Sequence, residues 1–187
     1  MRKPLLAGAI ALALLAPSLV LAASWSRTAP MTRSPTRADA TTQNFADAAW
    51  NINNFEIQAG REAESKASGR DYLDYARMIE KDHASLDDGL KQIMQQSRFP
   101  VPTALDKEHM NLLQQLSAMT GARFEDQFRT QQIDGHEKAV KLFEHYAKSG
   151  QNAELKKWAQ SAIPTLEKHL RDAKALPRPA HGAHAAR

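Results

Sequence analysis

The chain has 187 residues, a formal net charge of +4 and no cysteine. The lack of cysteine excludes disulfides, thiolate metal sites and thiol nucleophiles. The 25 basic residues nearly balance the 21 acidic ones, so charge gives no reason to expect nucleic acid as a partner.

The N-terminus has the pattern of a secretory signal peptide. Arg2 and Lys3 precede an apolar run over residues 5–21, and Val20-Leu21-Ala22 satisfies the small-residue cleavage rule. Removing 22 of the 187 residues leaves 165, with 23 basic against 21 acidic residues. We therefore predict a signal peptide over residues 1–22, export to the periplasm or cell envelope, and no transmembrane segment in the mature chain.

Residues 23–43 are rich in Ser, Thr, Pro and Arg, which predicts a flexible linker. Hydrophobic periodicity then predicts four long helices and one short helix. The long ones cover about residues 44–67, 71–96, 122–148 and 152–175, and the short one covers about residues 106–119. Pro177 ends the domain, so residues 177–187 are predicted to be a disordered tail.

These lengths and connections favour an all-α fold, a four-helix bundle over residues 44–176 with the short extra helix in the long connection. Each long helix carries one polar residue on or beside its apolar row: Glu56, His83, His136 and His169. The first three lie near the middle of their helices. His169 lies lower by roughly 7 Å at 1.5 Å per residue, unless Pro164 bends its helix.

Three imidazoles and a carboxylate at one level are the ligand types of a divalent transition metal: Zn, Fe, Cu or Mn. Two alternatives stay open at this point. The four residues could form a polar cluster that satisfies itself, or they could lie apart, each satisfied locally.

Several catalytic classes find no support in the sequence. A di-iron carboxylate site needs Glu-x-x-His on two helices, and only Glu80-x-x-His83 fits that pattern. The motifs of serine hydrolases, phosphate-binding loops and zinc proteases are absent from the sequence. The sequence leaves open whether the chain is an enzyme, and it favours binding over catalysis.

Five segments in this order resemble the DUF4142 family of exported bacterial proteins. They are YARMIEKDH (75–83), PTALD (102–106), LSAMTGARF (116–124), QIDGHE (132–137) and PTLEKHL (164–170). The resemblance covers about residues 43–176. It departs at Glu125, where the family usually has Asp, and at Phe128, where it has Tyr. It implies a ferritin-like fold and an envelope location, but it supplies no function, because none is assigned to the family.

The main functional hypothesis is an exported bundle that binds, buffers or senses one transition metal at Glu56, His83, His136 and His169. The alternative is a metal-free envelope interaction or stress-protective module, in which the polar cluster only fixes the helix register. An oxidoreductase of ferritin-like type is a third possibility that the small number of carboxylates disfavours. Neither the sequence nor the resemblance identifies a protein partner.

Overall fold

The computed structural model describes residues 37–179, which form five α-helices and contain no β-strand. The helices are α1 (Arg37–Lys66), α2 (Arg70–Gln96), α3 (Lys107–Ser117), α4 (Gly121–Ser149) and α5 (Ala153–Ala175). The all-α prediction is confirmed, and the short helix lies in the long connection as expected. Within this range, no helix combines the length and the hydropathy that crossing a membrane requires.

Helix α1 begins at Arg37, seven residues before the predicted start near Asn44. Residues 37–43, which we predicted as part of the linker, are thus helical. The reason is packing: Thr42 is buried, its hydroxyl lies 3.4 Å from that of Tyr146, and Phe45 stacks on the Tyr146 ring. The predicted signal peptide (1–22), the rest of the linker (23–36) and residues 180–187 lie outside the described residues.

Side-chain caps start two of the helices, and a tight turn ends a third, close to the predicted positions. The carboxylate of Asp106 starts α3 by accepting the backbone N–H three residues on, at 2.9 Å, and Asn152 does the same for α5 at 2.9 Å. Arg98 follows α2 with a φ of 57° in the left-handed region, and Pro100 comes two residues later. Asp106 and Asn152 therefore fix where α3 and α5 begin, and the turn at Arg98 and Pro100 fixes where α2 ends.

The four long helices each pack against two others. Helix α1 contacts α2 and α4, helix α5 contacts α4 and α2, and α3 lies across α1 and α4. Their buried apolar residues form two clusters. The first includes Phe45, Trp50, Leu90, Phe143 and Leu155, and the second includes Phe55, Tyr72, Ile79, Phe124 and Phe128.

The order of the two clusters along each helix gives the helix directions. The first cluster occupies the N-terminal part of α1 and α5 but the C-terminal part of α2 and α4. Every contacting pair of long helices is therefore antiparallel, whereas α2 and α4 run in the same direction. The connection over residues 97–120 must consequently return along the length of the bundle, and α3 lies within it.

The exposed Pro164 lies inside α5, which continues through it. Proline has no N–H to donate to the carbonyl of Gln160, so it destabilises the helix. We expect Pro164→Ala to raise the free energy of unfolding by about 1–3 kcal/mol. If Pro164 bends α5 as the sequence predicts, the variant should also straighten the helix, move His169 and weaken any metal bound there. Urea unfolding and metal titration measure the two effects; an unchanged metal affinity would show that Pro164 has no positioning role.

Candidate metal centre

A layer of polar side chains separates the two apolar clusters. Glu56 of α1, His83 of α2, His136 of α4 and His169 of α5 belong to it, and none is more than 2% exposed. On α2, α4 and α5 the histidine falls between the parts that join the first and the second cluster, whereas on α1 Glu56 directly follows Phe55, the first residue of that helix in the second cluster. The prediction that all four residues are buried inside the bundle is therefore correct.

Three of the four side chains converge on one point. The Nε2 atoms of His83 and His136 lie 3.4 Å apart, and Nε2 of His136 lies 3.3 Å from Nδ1 of His169. Each ring offers one nitrogen within 4.8 Å of the nitrogens that the other two offer. Within residues 37–179, they are the one group of three or more His, Asp or Glu side chains with this proximity.

The other ring nitrogen of each histidine has a hydrogen-bond acceptor of its own. Nδ1 of His136 donates to the backbone carbonyl of Gln132 at 2.9 Å, and Nε2 of His169 donates to Asp82 at 3.0 Å. Nδ1 of His83 donates to the side-chain oxygen of Asn53 at 3.0 Å. These outer partners hold the proton on the outer nitrogen of each ring.

Burial keeps the three rings neutral at pH 7. It is the main cause that lowers the pKa of His83 well below 6.5 and that of His136 to about 3. It also lowers the pKa of His169, although the hydrogen bond and charge of Asp82 act in the opposite direction. A neutral imidazole has one N–H and one lone pair. Since the outer nitrogens hold the protons, the three inner nitrogens present lone pairs to one another.

This arrangement suits a metal ion. Nitrogens at about 2.0–2.1 Å from a tetrahedral metal lie about 3.3–3.4 Å apart, as the two inner pairs do. Without a cation or a proton between them, the lone pairs repel one another and have no donor. Each such buried acceptor costs about 1–3 kcal/mol.

Glu56 lies beside this group rather than within it. Its Oε1 is 3.9 Å from Nδ1 of His136, the nitrogen already bonded to Gln132, and its Oε2 accepts a 2.6 Å hydrogen bond from the Gln132 amide. The Gln132 side-chain oxygen in turn accepts from the Tyr75 hydroxyl at 3.0 Å. Burial raises the pKa of Glu56 from 4.5 to about 8, although the Gln132 hydrogen bond opposes the shift.

Asp82 follows the pattern of either a partner that orients an imidazole or a solvated surface residue, and in the structure it bonds to His169, a residue of another helix. Asn53 and Gln132 were not singled out, although Asn53 lies one turn before Glu56 and Gln132 one turn before His136. A polar side chain one helical turn from another polar residue on the buried face is the signal that could have found them.

The raised pKa of Glu56 predicts a pH dependence of stability. Between pH 4.5 and about 8, the folded carboxyl keeps a proton that the unfolded one loses, so stability falls as pH rises. Glu56→Gln removes this dependence. With chelator present, we expect the free energy of unfolding of the variant, relative to that of the natural protein, to rise by up to about 1.4 kcal/mol per pH unit in that window. Urea unfolding from pH 5 to 7.5 measures it.

Glu80→Gln is the matched control, since the Glu80 carboxylate pairs with Arg61 nearer the surface at 2.8 Å. The difference in free energy of unfolding between Glu80→Gln and the natural protein should not vary with pH across this window. If the difference for Glu56→Gln is equally independent of pH, that result would contradict a buried, protonated Glu56.

Comparisons with known proteins agree with this fold and name a family. A domain of unknown function, DUF4142, matches residues 27–176. The crystal structure of a DUF305 fragment from Deinococcus radiodurans is similar at 14% identity with a TM-score of 0.64, covering 76% of this chain and 97% of that one. A DUF305 protein from Streptomyces coelicolor is similar at 14% identity with a TM-score of 0.62, covering 79% and 98%.

Identities this low show the helical fold alone. Among curated proteins, none matches the chain in sequence. The match to the family extends over most of the chain and includes all four residues of the polar layer. This protein is therefore a member of the DUF4142 family.

Proposed function

We propose that this protein binds one divalent transition metal through the inner nitrogens of His83, His136 and His169. The observation that carries the proposal is the set of outer hydrogen bonds. Asn53, the Gln132 carbonyl and Asp82 hold one proton on each ring, and so direct three lone pairs at one buried point. A carbonyl or carboxylate partner on the outer nitrogen is the usual companion of a metal-bound histidine.

The ligand type limits the metal but does not select one. Imidazole nitrogen suits Zn, Fe, Cu or Mn better than Ca or Mg, and the 3.3–3.4 Å spacing suits tetrahedral coordination. The three rings are at most 1% exposed, so a substrate would have no direct approach to the metal. Binding, buffering or sensing therefore fits the site better than turnover.

Glu56 belongs to the surroundings of this proposed centre. To act as the fourth ligand that we predicted, its carboxylate would have to leave Gln132 and reach past His136 toward the inner nitrogens. In its present position, it accepts from Gln132, whose backbone carbonyl in turn accepts the proton of His136. Glu56 therefore acts on the centre through Gln132.

A metal-free role is the second candidate, and the outer hydrogen bonds favour it as well. His83 and His169 each bond to a side chain of a neighbouring helix, and His136 bonds to a carbonyl one turn earlier in its own helix. The layer could therefore fix the helix register without any ion. The inner nitrogens distinguish the two roles. Without a metal, the polar layer needs a proton between Nε2 of His136 and Nδ1 of His169. Burial disfavours that proton, because it holds the pKa of both rings below 6.5.

We also propose that the bundle is ferritin-like and that the chain is exported. Antiparallel contacts with one long connection between α2 and α4 are the topology of ferritin-like bundles, which build metal sites in their cores. Export rests on the sequence over residues 1–22. An envelope protein that holds a metal internally could buffer that metal for the compartment.

Metal binding predicts a stability that depends on chelator. A metal at one hundred times its Kd stabilises the folded state by about 2.7 kcal/mol. Elemental analysis of untagged protein should therefore find close to one metal per chain, and a chelator should lower the temperature of unfolding. His83→Ala should abolish both the bound metal and the chelator effect.

His145→Ala is the control, because His145 is an exposed histidine of α4 outside the polar layer. It should keep the metal content and chelator response of the natural protein. A natural protein that contains no metal, gains none from added Zn, Fe, Cu or Mn, and does not respond to chelator would leave only the metal-free role.

Export predicts a processed N-terminus at Ala23 or Ser24. The cleavage rule at Val20-Leu21-Ala22 is the reason. Intact mass spectrometry of protein taken from cells measures the terminus. A chain that retains Met1 and stays with the cytoplasmic fraction would contradict export without affecting the metal proposal.

A further inference from the structure

The three outer hydrogen-bond partners of the histidines differ in their exposure to solvent. Asn53 and Gln132 are 0% exposed, whereas the side chain of Asp82 is 35% exposed. When an outer bond opens, water can replace the ring at an exposed acceptor, but a buried acceptor stays unpaired at a higher cost in free energy. The bond between Asp82 and His169 is therefore the outer bond that opens at the lowest cost.

His169 presents its ring in the opposite sense to the other two histidines. His83 and His136 turn Nε2, the far end of the side chain, toward the centre. His169 turns Nδ1 inward and Nε2 outward, where it bonds to Asp82 at 3.0 Å. When the His169 side chain rotates, Nε2 moves farther than Nδ1, because it lies farther from the backbone. Asp82 therefore holds the end of the ring that has the most freedom to move.

A metal ion needs a path to the three rings, because none of them is more than 1% exposed. Two sides of the polar layer lie between contacting helices that no short connection joins, one between α1 and α4 and the other between α2 and α5. Helix α3 lies across the α1–α4 side. Asp82 and His169 lie on the α2–α5 side, which is the more open of the two.

A cavity of about 320 Å³ also approaches the layer on the α1–α4 side, where Glu56 and Gly135 line it. The histidine nearest to this Glu56 is His136, whose Nδ1 lies 3.9 Å from Oε1 and donates to the carbonyl of Gln132 in its own helix. The side chain of Gln132 is buried there and bonds to Glu56 at 2.6 Å. The outer bond on this side is thus enclosed by buried groups, unlike the bond to Asp82.

A surface groove of about 480 Å³ lies between α2 and α5. Met78 of α2 and Asp172 of α5 line it. Met78 comes one turn before Asp82, and Asp172 comes about one turn after His169. Lys168 lies at the same boundary and pairs with Asp172 at 2.7 Å. The groove therefore offers the His169 ring an open surface within about one helical turn of its bond to Asp82.

We propose that metal enters and leaves the centre between α2 and α5, through the opening of the hydrogen bond between Asp82 and His169. This proposal rests on the proposed metal centre and adds the route of exchange. With the bond open, the His169 ring rotates toward the groove and uncovers the inner nitrogens of His83 and His136. His169 is thus the last ligand to bind and the first to leave, and Asp82 is a positioning residue that acts through it.

The rate constants of zinc exchange test the route. The full chain loaded with Zn²⁺ is mixed with an excess of a coloured chelator at about 1 M salt, where a surface charge acts over only about 3 Å. The rate of transfer gives the dissociation rate constant, and dividing it by the Kd gives the association rate constant. Asp82→Ala should raise both constants about tenfold or more, the factor expected for loss of one charge-assisted hydrogen bond. Asp82→Asn keeps an acceptor oxygen and should raise both by less.

Two control variants separate opening from a general weakening of the site. Asn53→Ala removes the buried outer partner of His83. It should raise the dissociation rate constant and leave the association rate constant unchanged, because a lost outer partner weakens the bound state. Asp88→Ala removes an exposed carboxylate of α2 and should change neither constant.

Three results would overturn the route in protein that binds Zn²⁺. The first is an association rate constant that Asp82→Ala leaves unchanged. The second is an equal rise of both constants in Asp82→Ala and Asn53→Ala. The third is slower association in Gly135→Ala, whose Cβ would lie 3.5 Å from Oε1 of Glu56 and narrow the cavity on the α1–α4 side. A natural protein that binds no metal would instead overturn the proposed function, and the route with it.

Discussion

Three imidazole lone pairs that face one another in the buried interior are the constraint on which the rest of this structure depends. The three histidines sit between two apolar clusters, one near each end of the helices. A shift of any helix by one turn, about 5.4 Å, would push a histidine into an apolar cluster and remove it from its partner. The layer therefore fixes the register of all four long helices, whether a metal or a proton occupies its centre.

The layer is also where stability and binding oppose each other. Filling the same space with leucines would stabilise a bundle of this size, since buried polar groups contribute little net free energy even when paired. The chain instead keeps Asn53 with an unpartnered side-chain amide. Folded proteins have only about 5–15 kcal/mol of stability, so such groups persist where a ligand provides the missing interaction.

Helical periodicity was sufficient to predict five helices, their break points and the burial of Glu56, His83, His136 and His169. It could not predict the direction in which each side chain points. Glu56 occupies the right face and height, but its carboxylate turns to Gln132. Asp82 bonds to His169 only because α2 and α5 are neighbours, and pairings between helices are not encoded in the pattern of either one. The start of α1 was missed because its Thr and Ala residues resemble a linker until Tyr146 covers Thr42.

The parallel course of α2 and α4 divides the chain into two hairpins, α1–α2 and α4–α5. Contacts within each hairpin are local in sequence, and local contacts form early in folding. His83 belongs to the first hairpin, whereas His136 and His169 belong to the second. We therefore expect a folding intermediate with two preformed hairpins and a divided centre. The last step of folding would then join the two halves of the proposed metal centre, so the metal available to the chain would act on that step.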